Sequence, residues 1–356
     1  MKKIFVINVG STSTKVAYYE DDKCVIKDNI THPVEETKAF DDVMDQREYR
    51  TKVIMDFMAA NNLNIDEMDA IVSRGGHTKP VISGAYKINE IMIEQQKSGN
   101  YGRHPVDVGT GIAFDMCKGH KAVPVTVDPP VADEFTPVAH LSGHPLMPRE
   151  VRFHVLSHKA TAKRYAKDIG KNYEDLNLIT IHMGGGITTG AHSGGKIIDG
   201  NNGIEGEGPY STNRTGGLMA KYVVDLCFSG KYTQKEISKM INGEGGLVAY
   251  LGESDVLKVQ EMGKTDPYAK LVLEGMFYQA CKEAGALATV LKGKIDAILI
   301  TGGIAYGESI IEYMKEGLGW IAPIAVYPGE NEMESLALGT LEALNNPEKM
   351  FEMTEE

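Results

Sequence analysis

Apolar positions in the first thirty residues fall into short runs separated by polar turns. Residues 4–9 predict a strand, Gly10-Ser-Thr-Ser-Thr14 a turn, residues 15–19 a returning strand, and Asp21-Asp22-Lys23 a hairpin into residues 24–27. Between 36 and 60, Phe40, Val43, Met44, Val53, Ile54, Phe57 and Met58 recur at three- and four-residue steps, which predicts a helix. Residues 69–73 read as a short buried strand ending in Arg74-Gly75-Gly76, and 122–127 as a strand running into Asp128. Residues 106–118, 154–169 and 333–345 carry helical patterns, the last closed by Asn346-Pro347.

The opening pattern returns in the second half. Residues 178–183 and 187–192 flank Gly184-Gly185-Gly186, and Ser193-Gly-Gly-Lys196 turns the chain into 197–199. Ile7-Asn8-Val9-Gly10 falls on Ile181-His182-Met183-Gly184. Such self-similarity predicts an internal duplication in an α/β protein, with two domains each presenting a strand–turn–strand phosphate hairpin to a cleft. The expected boundaries are 1–150, with 326–356 packing back, and 151–325.

A chain of 356 residues suits two domains, and 42% apolar with 24% charged residues describes an ordinary globular protein. No window approaches about 18 uninterrupted apolar residues, so no membrane partner is expected. Cys24, Cys117, Cys227 and Cys281 are far apart, which fits a cytoplasmic location and argues against zinc. A net charge of -12 makes nucleic acid a poor partner. Twelve of the 39 glycines lie between Gly184 and Gly217, where backbone must bend sharply or approach a ligand.

The chemistry begins at Asn8-Val-Gly-Ser11-Thr-Ser13-Thr-Lys15, a turn whose N–H groups, hydroxyls and lysine can hold an anion. Alone it could equally be a polar hairpin tip. With His182-Met-Gly184-Gly185-Gly186 and Thr301-Gly302-Gly303-Ile304 it becomes a three-part nucleotide cradle. Two look-alikes are set aside. Gly190-x4-Gly195-Lys196 nearly spells a Walker loop, but Ile197 stands where a hydroxyl should hold magnesium. His154 and His158 have zinc-like spacing on a helix, but the glutamate of H-E-x-x-H is missing. Arg214 sits within the glycine-rich 199–217 stretch, and Arg74 follows a strand end, where an α/β sheet presents functional groups. Two arginines and a lysine around one anion suit phosphoryl transfer.

These segments, with DPPVADE, FHVLSHKA, NNGIEGEGP, LCFSGKYT, GKIDAILITGGIAY and IAPIAVYPGENEM, resemble the butyrate kinase family from end to end. That family belongs to the acetate kinase branch of the actin/hexokinase/Hsp70 fold. The resemblance implies two duplicated ribonuclease H-like domains flanking a nucleotide cleft. It also implies a reversible, ATP- and Mg2+-dependent kinase that converts a short-chain carboxylate to an acyl phosphate, working as a homodimer or higher homo-oligomer. By the same resemblance Asn8, Ser11, Ser13 and Lys15 form the first phosphate motif. His182, Gly184, Gly185 and Gly186 form the second, and Gly302, Gly303 and Ile304 the adenosine motif. Arg74, His154 and Arg214 surround the transferred phosphoryl, and Asp128 and Glu332 are the acidic positions tied to magnesium. Val9 stands where the family has proline. Asp107 replaces an asparagine in the segment near the acyl pocket, with Arg103 beside it.

A carboxylic acid is already ionised at neutral pH and needs no general base. The obstacle is bringing one anion to another, a repulsion of several kcal/mol at an effective dielectric of ~20. Arg74, Arg214, His154 and magnesium would offset it. Direct in-line transfer is expected, with Asp128 acting through magnesium or its waters, and Phe153 beside His154 as an apolar wall. Two alternatives stand beside this reading. One is a sugar or polyol kinase of the same fold, with Asp128 as base. The other is a nucleotide-binding regulator without catalysis.

Overall fold

The computed structural model describes every residue except Ser11, Lys38, Asp41, Arg103, His104, Glu330 and Glu356. In chain order the first half forms β1 (Lys3–Val9), β2 (Ser13–Glu20), β3 (Lys23–Thr31), α1 (Val34–Thr37), α2 (Arg47–Ala60), β4 (Ala70–Ser73), β5 (Ala85–Lys87), α3 (Glu90–Ser98), α4 (Val106–Cys117) and β6 (Val123–Val127). The second half forms α5 (Val155–Asp168), β7 (Leu178–Met183), β8 (Ile187–Ser193), β9 (Lys196–Gly200), α6 (Ala220–Cys227), α7 (Gln234–Ile241), α8 (Gly246–Leu251), α9 (Val256–Gly263), α10 (Pro267–Val290), β10 (Ala297–Gly302), α11 (Glu308–Leu318) and β11 (Ile324–Pro328). The chain ends in α12 (Glu332–Asn345) and β12 (Met350–Glu352).

Contacts divide the chain into a first unit of residues 1–133 and 331–356 and a second of residues 134–330. The boundary expected near 150 thus falls at 133/134. Residues 134–150 are tied to the second unit. Glu134 pairs with Lys159 at 2.7 Å and accepts the Ile197 N–H, and Thr136 N–H donates to the Ile198 carbonyl. The return near 325 falls at 330/331, because β11 pairs in parallel with β10.

The first unit's sheet runs β12-β5-β6-β4-β1-β2-β3 and the second unit's runs β11-β10-β7-β8-β9. In the first, β1, β2 and β3 are an antiparallel meander, and β4 and β6 continue in parallel from β1. In the second, β7, β8 and β9 repeat the meander, and β10 and β11 repeat the parallel extension. The two units therefore share one five-stranded plan. The hairpins differ by one residue. The β1–β2 turn closes through Gly10 N–H to Ser13 O, the β7–β8 turn through Gly184 N–H to Gly186 O.

Alternation along the strands decides which helices cover each face. Phe5, Ile7 and Val9 of β1 join Ile54 and Met58 of α2 and Val108 and Ile112 of α4 in one core. Asn8, on the opposite face, meets α12. In the second unit Ile179, Ile181 and Met183 pack with α10 and α11, while Leu178 lies with Ala162 and Ala166 of α5. His182 shares the α5 face by the same period of two.

The helix expected over 36–60 is two pieces, α1 and α2, with a 3-10 turn over Val43–Gln46. Asp42 restarts the chain as a cap, its carboxylate accepting the Met44 N–H at 2.9 Å. Phe40 thus lies outside both helices and packs its ring on Tyr49. Among the described residues, no helix is long and apolar enough to cross a membrane.

Candidate active site

In the first unit the candidate side chains cluster at the C-terminal ends of three adjacent parallel-aligned strands, β1, β4 and β6. Ile7 pairs with Ser73 and Ser73 with Thr126, so Asn8 and Arg74 each follow a paired position directly. Glu332, the first residue of α12, gathers them. Its carboxylate accepts from Asn8 Nδ2 at 2.6 Å and pairs with Arg74 at 3.0 Å. Asp128 is buried at the end of β6 with φ +43°, in the left-handed region that aspartate visits more readily than most residues. Lys15 lies exposed on β2 directly opposite Asn8. The Ser13 carbonyl and the Thr14 hydroxyl accept from Arg50, a fully buried guanidinium also bonded to Gln46. Nothing in the sequence marks Arg50, since an arginine inside an amphipathic stretch carries no signal of its destination. Ser11 lies outside the described residues.

Asp107 is fully buried and accepts from the His77 N–H at 2.7 Å, with His77 Nδ1 at 3.1 Å. It therefore has a histidine as a hydrogen-bond partner. Arg103 lies outside the described residues.

In the second unit His154, His182, Gly186 and Arg214 come together. The rings of His154 and His182 stack at 4.3 Å. Gly186 lies beneath the Arg214 guanidinium, and a β-carbon there would collide with Arg214 and sit 3.2 Å from His154. Arg214 is oriented by a 2.8 Å bond from its NH1 to the Gly203 carbonyl. Glycine at 186 is thus what allows the arginine to lie across the hairpin. Around Gly185 the space is open, and its carbonyl accepts from Ser211 and Thr212. Gly184 closes the turn. On β10, Thr301 pairs with His182, which brings Gly302, Gly303 and Ile304 beside the same hairpin.

His154 and His158 share a hydroxyl. His154 Nδ1 and His158 Nε2 each lie 2.9 Å from Thr188 Oγ1. Thr188 occupies the place of Lys15 in the repeat, since it pairs with His182 as Lys15 pairs with Asn8. Phe153 does not line an open wall. Its ring packs 4.2 Å from the His158 ring and under Gly190 and Gly200, whose β-carbons would collide with it. Gly194 and Gly195 have positive φ in the β8–β9 hairpin, consistent with a turn rather than a Walker loop.

Burial holds two histidines neutral. His158 is driven well below the ordinary value of 6.5 by burial, then by His192 and His182. His192 is pushed down to about 3 by burial and Lys159. As pH falls below 6.5 the unfolded chain takes up protons that these folded histidines refuse. Stability should therefore decline with acidification, by up to about 1.4 kcal/mol per pH unit per histidine. Thermal unfolding between pH 7 and 5 checks this. His192→Gln should lose less stability across that range than the wild type; equal losses would show that His192 carries none of the effect.

A duplicated five-stranded sheet, with a glycine-turned hairpin and basic side chains in each copy, defines a protein of the actin/hexokinase/Hsp70 architecture. Residues 142–324 match the acetokinase family. The chain is 44% identical over 348 residues, 98% of each sequence, to Butyrate kinase 2 of Clostridium acetobutylicum. It therefore belongs to the acetokinase family, on the butyrate kinase side. The fold is that of the acetate kinase of Porphyromonas gingivalis, at a TM-score of 0.79 and 18% identity over 97% of this chain and 100% of the other. A propionate kinase of Francisella tularensis gives 0.75 and 20% over 95% and 99%.

Proposed function

We propose that this protein is an ATP-dependent carboxylate kinase that reversibly converts butyrate, or a branched acid of similar length, to its acyl phosphate. The family relationship, at 44% identity over nearly the whole chain, is the observation that carries the reading. The site chemistry agrees with it. The acceptor carboxylate needs charge neutralised rather than a proton removed. Arg74 and Arg214 are each held by a neighbour, Glu332 and Gly203, in a fixed orientation suited to forked contacts with an anionic phosphoryl. His154 adds a ring donor beside Arg214. In-line transfer directly to the acid follows.

In the second unit, the backbone N–H groups of Gly185 and Gly186 face phosphate at the turn and His182 stands at its edge, while Gly302, Gly303 and Ile304 take the adenosine. In the first unit, Asn8, Ser13 and Lys15, with Ser11, serve the phosphates.

Among the described residues no cluster of three or more metal-ligating side chains exists. Magnesium carried in on a nucleotide needs only one or two carboxylates, and the buried Asp128 at the end of β6 fits that need. Glu332, whose oxygens already serve Asn8 and Arg74, would act at the ion's waters. Magnesium, when bound, neutralises charge on the transferring phosphates.

The enzyme works as a homodimer. Helix α6 buries none of its residues, and Tyr222, Val224 and Phe228 around it are exposed, a surface that a second copy would cover. A monomer mass by light scattering would count against this. The four cysteines are all free thiols, which suits a reducing cytoplasm.

Hydroxylamine trapping with ATP, magnesium and a panel of acids and sugars tests the reaction. Hydroxamate should form with acids and not with sugars. Butyrate, isobutyrate or valerate should exceed acetate by about tenfold or more in kcat/KM, as two methylenes at roughly 0.8 kcal/mol each allow. Acetate or succinate in first place would overturn the chain-length preference. Turnover of sugars alone would overturn the class.

A further inference from the structure

The Thr188 hydroxyl is fully buried and, among the described residues, its one hydrogen has only two imidazole nitrogens to go to, each at 2.9 Å; two donating rings would leave that hydrogen without an acceptor, so the hydroxyl donates to one ring and accepts from the other. Two arrangements satisfy this. In one, His154 Nδ1–H donates to Thr188, and Thr188 donates to His158 Nε2. A neutral His158 must then carry its proton on Nδ1. That atom is buried with no hydrogen-bond partner, against the Phe153 ring and the Gly190 backbone. In the other, His158 Nε2–H donates to Thr188, whose hydrogen goes to His154 Nδ1. His158 Nδ1 is then a bare lone pair facing the same apolar surroundings. A buried N–H without an acceptor is the rarer and costlier defect, and an under-used acceptor is better tolerated.

We infer that His158 and Thr188 are positioning residues that fix neutral His154 as its Nε2–H tautomer, so that it presents a donor to the phosphoryl group without having to be charged. The inference deepens the proposed reaction and rests on His154 acting there. The alternative tautomer would put a lone pair on Nε2 and repel a phosphoryl oxygen. Full burial of His158 keeps the relay in one direction, because a doubly protonated His158 is not available to reverse it. The stacked ring of His182 and the Arg214 guanidinium across Gly186 also lie beside His154. Neither alters the count of hydrogens on Thr188.

Nitrogen-15 NMR of the histidine rings in the full-length enzyme tests the inference, with His154→Ala identifying the His154 signals by their loss. In the wild type at a pH where His154 is neutral, its Nε2 should carry the proton. Thr188→Val should shift His154 toward the other tautomer and lower kcat by about tenfold or more, as loss of an orienting partner does. Thr188→Ser, which keeps the hydroxyl, should restore both. A neutral His154 protonated on Nδ1 in the wild type would overturn the inference without any variant, as would an unchanged tautomer in Thr188→Val. If His154→Ala instead keeps full kcat, the reading beneath fails: His154 is then not catalytic, whatever its tautomer.

Discussion

Arg214→Ala is expected to lower kcat by at least about 100-fold while ATP affinity changes by less than about threefold, the pattern of a group whose charge is used chiefly in the transition state. The structural ground is the placement of the guanidinium. It lies across Gly186, beside His154, with NH1 bonded to the Gly203 carbonyl. A side chain held that way is oriented before substrate arrives and need not reorganise during transfer. Arg214→Lys should also fall well short of wild type, because an ammonium supplies charge without the planar fork. Steady-state kinetics with nucleotide titration in parallel reads both quantities. Arg214→Ala within about threefold of wild-type kcat would remove Arg214 from the reaction.

Gly302→Ala should produce the largest loss of stability at the site, and its neighbour serves as control. Gly302 has φ +95°, and its β-carbon would lie 2.6 Å from the carbonyl carbon of Met183 and against the Met183 oxygen. These are backbone atoms of β7, paired with β10, and cannot rotate away. With ψ 171° the Gly302 conformation is essentially confined to glycine, costing about 1–3 kcal/mol for an alanine, and the overpacking costs about 1–3 kcal/mol more. In a unit of roughly 200 residues that corresponds to a fall in Tm of about 5–15 °C. Gly303 has no atom within 4 Å of its would-be β-carbon. Gly303→Ala should therefore leave Tm nearly unchanged. Calorimetry of the pair checks the contrast. Equal melting of Gly302→Ala and the wild type would mean that the β7–β10 approach is looser than described.

The duplication was legible because the two meanders keep the same alternation, and Ile-Asn-Val-Gly and Ile-His-Met-Gly occupy the same place in each. Arg74 and Arg214 were legible as isolated cations among glycines. The rest depended on contacts that no local pattern encodes. Glu332 meets Asn8 across 324 positions of chain, and only the packing of α12 on β1 brings them together. Residues β5 and β12 are three-residue strands, too short for alternation to register. Phe153 read as a wall beside His154, but strand glycines at 190 and 200 open an interior slot that takes its ring. Thr188 had a weak signal available, since superposing the repeats sets it on Lys15. Asp107 could be seen to depart from the family pattern, yet its partner His77 depends on how α4 packs beneath the segment after β4.

The central claim, reversible phosphoryl transfer between ATP and a short carboxylate, is tested most directly from the product side. Purified protein mixed with butyryl phosphate, ADP and magnesium should generate ATP, read by luciferase, and Arg214→Ala should lower that rate by about the same 100-fold as the forward one. Absence of ATP formation from any short acyl phosphate, by protein that is folded and binds ADP, would contradict the account.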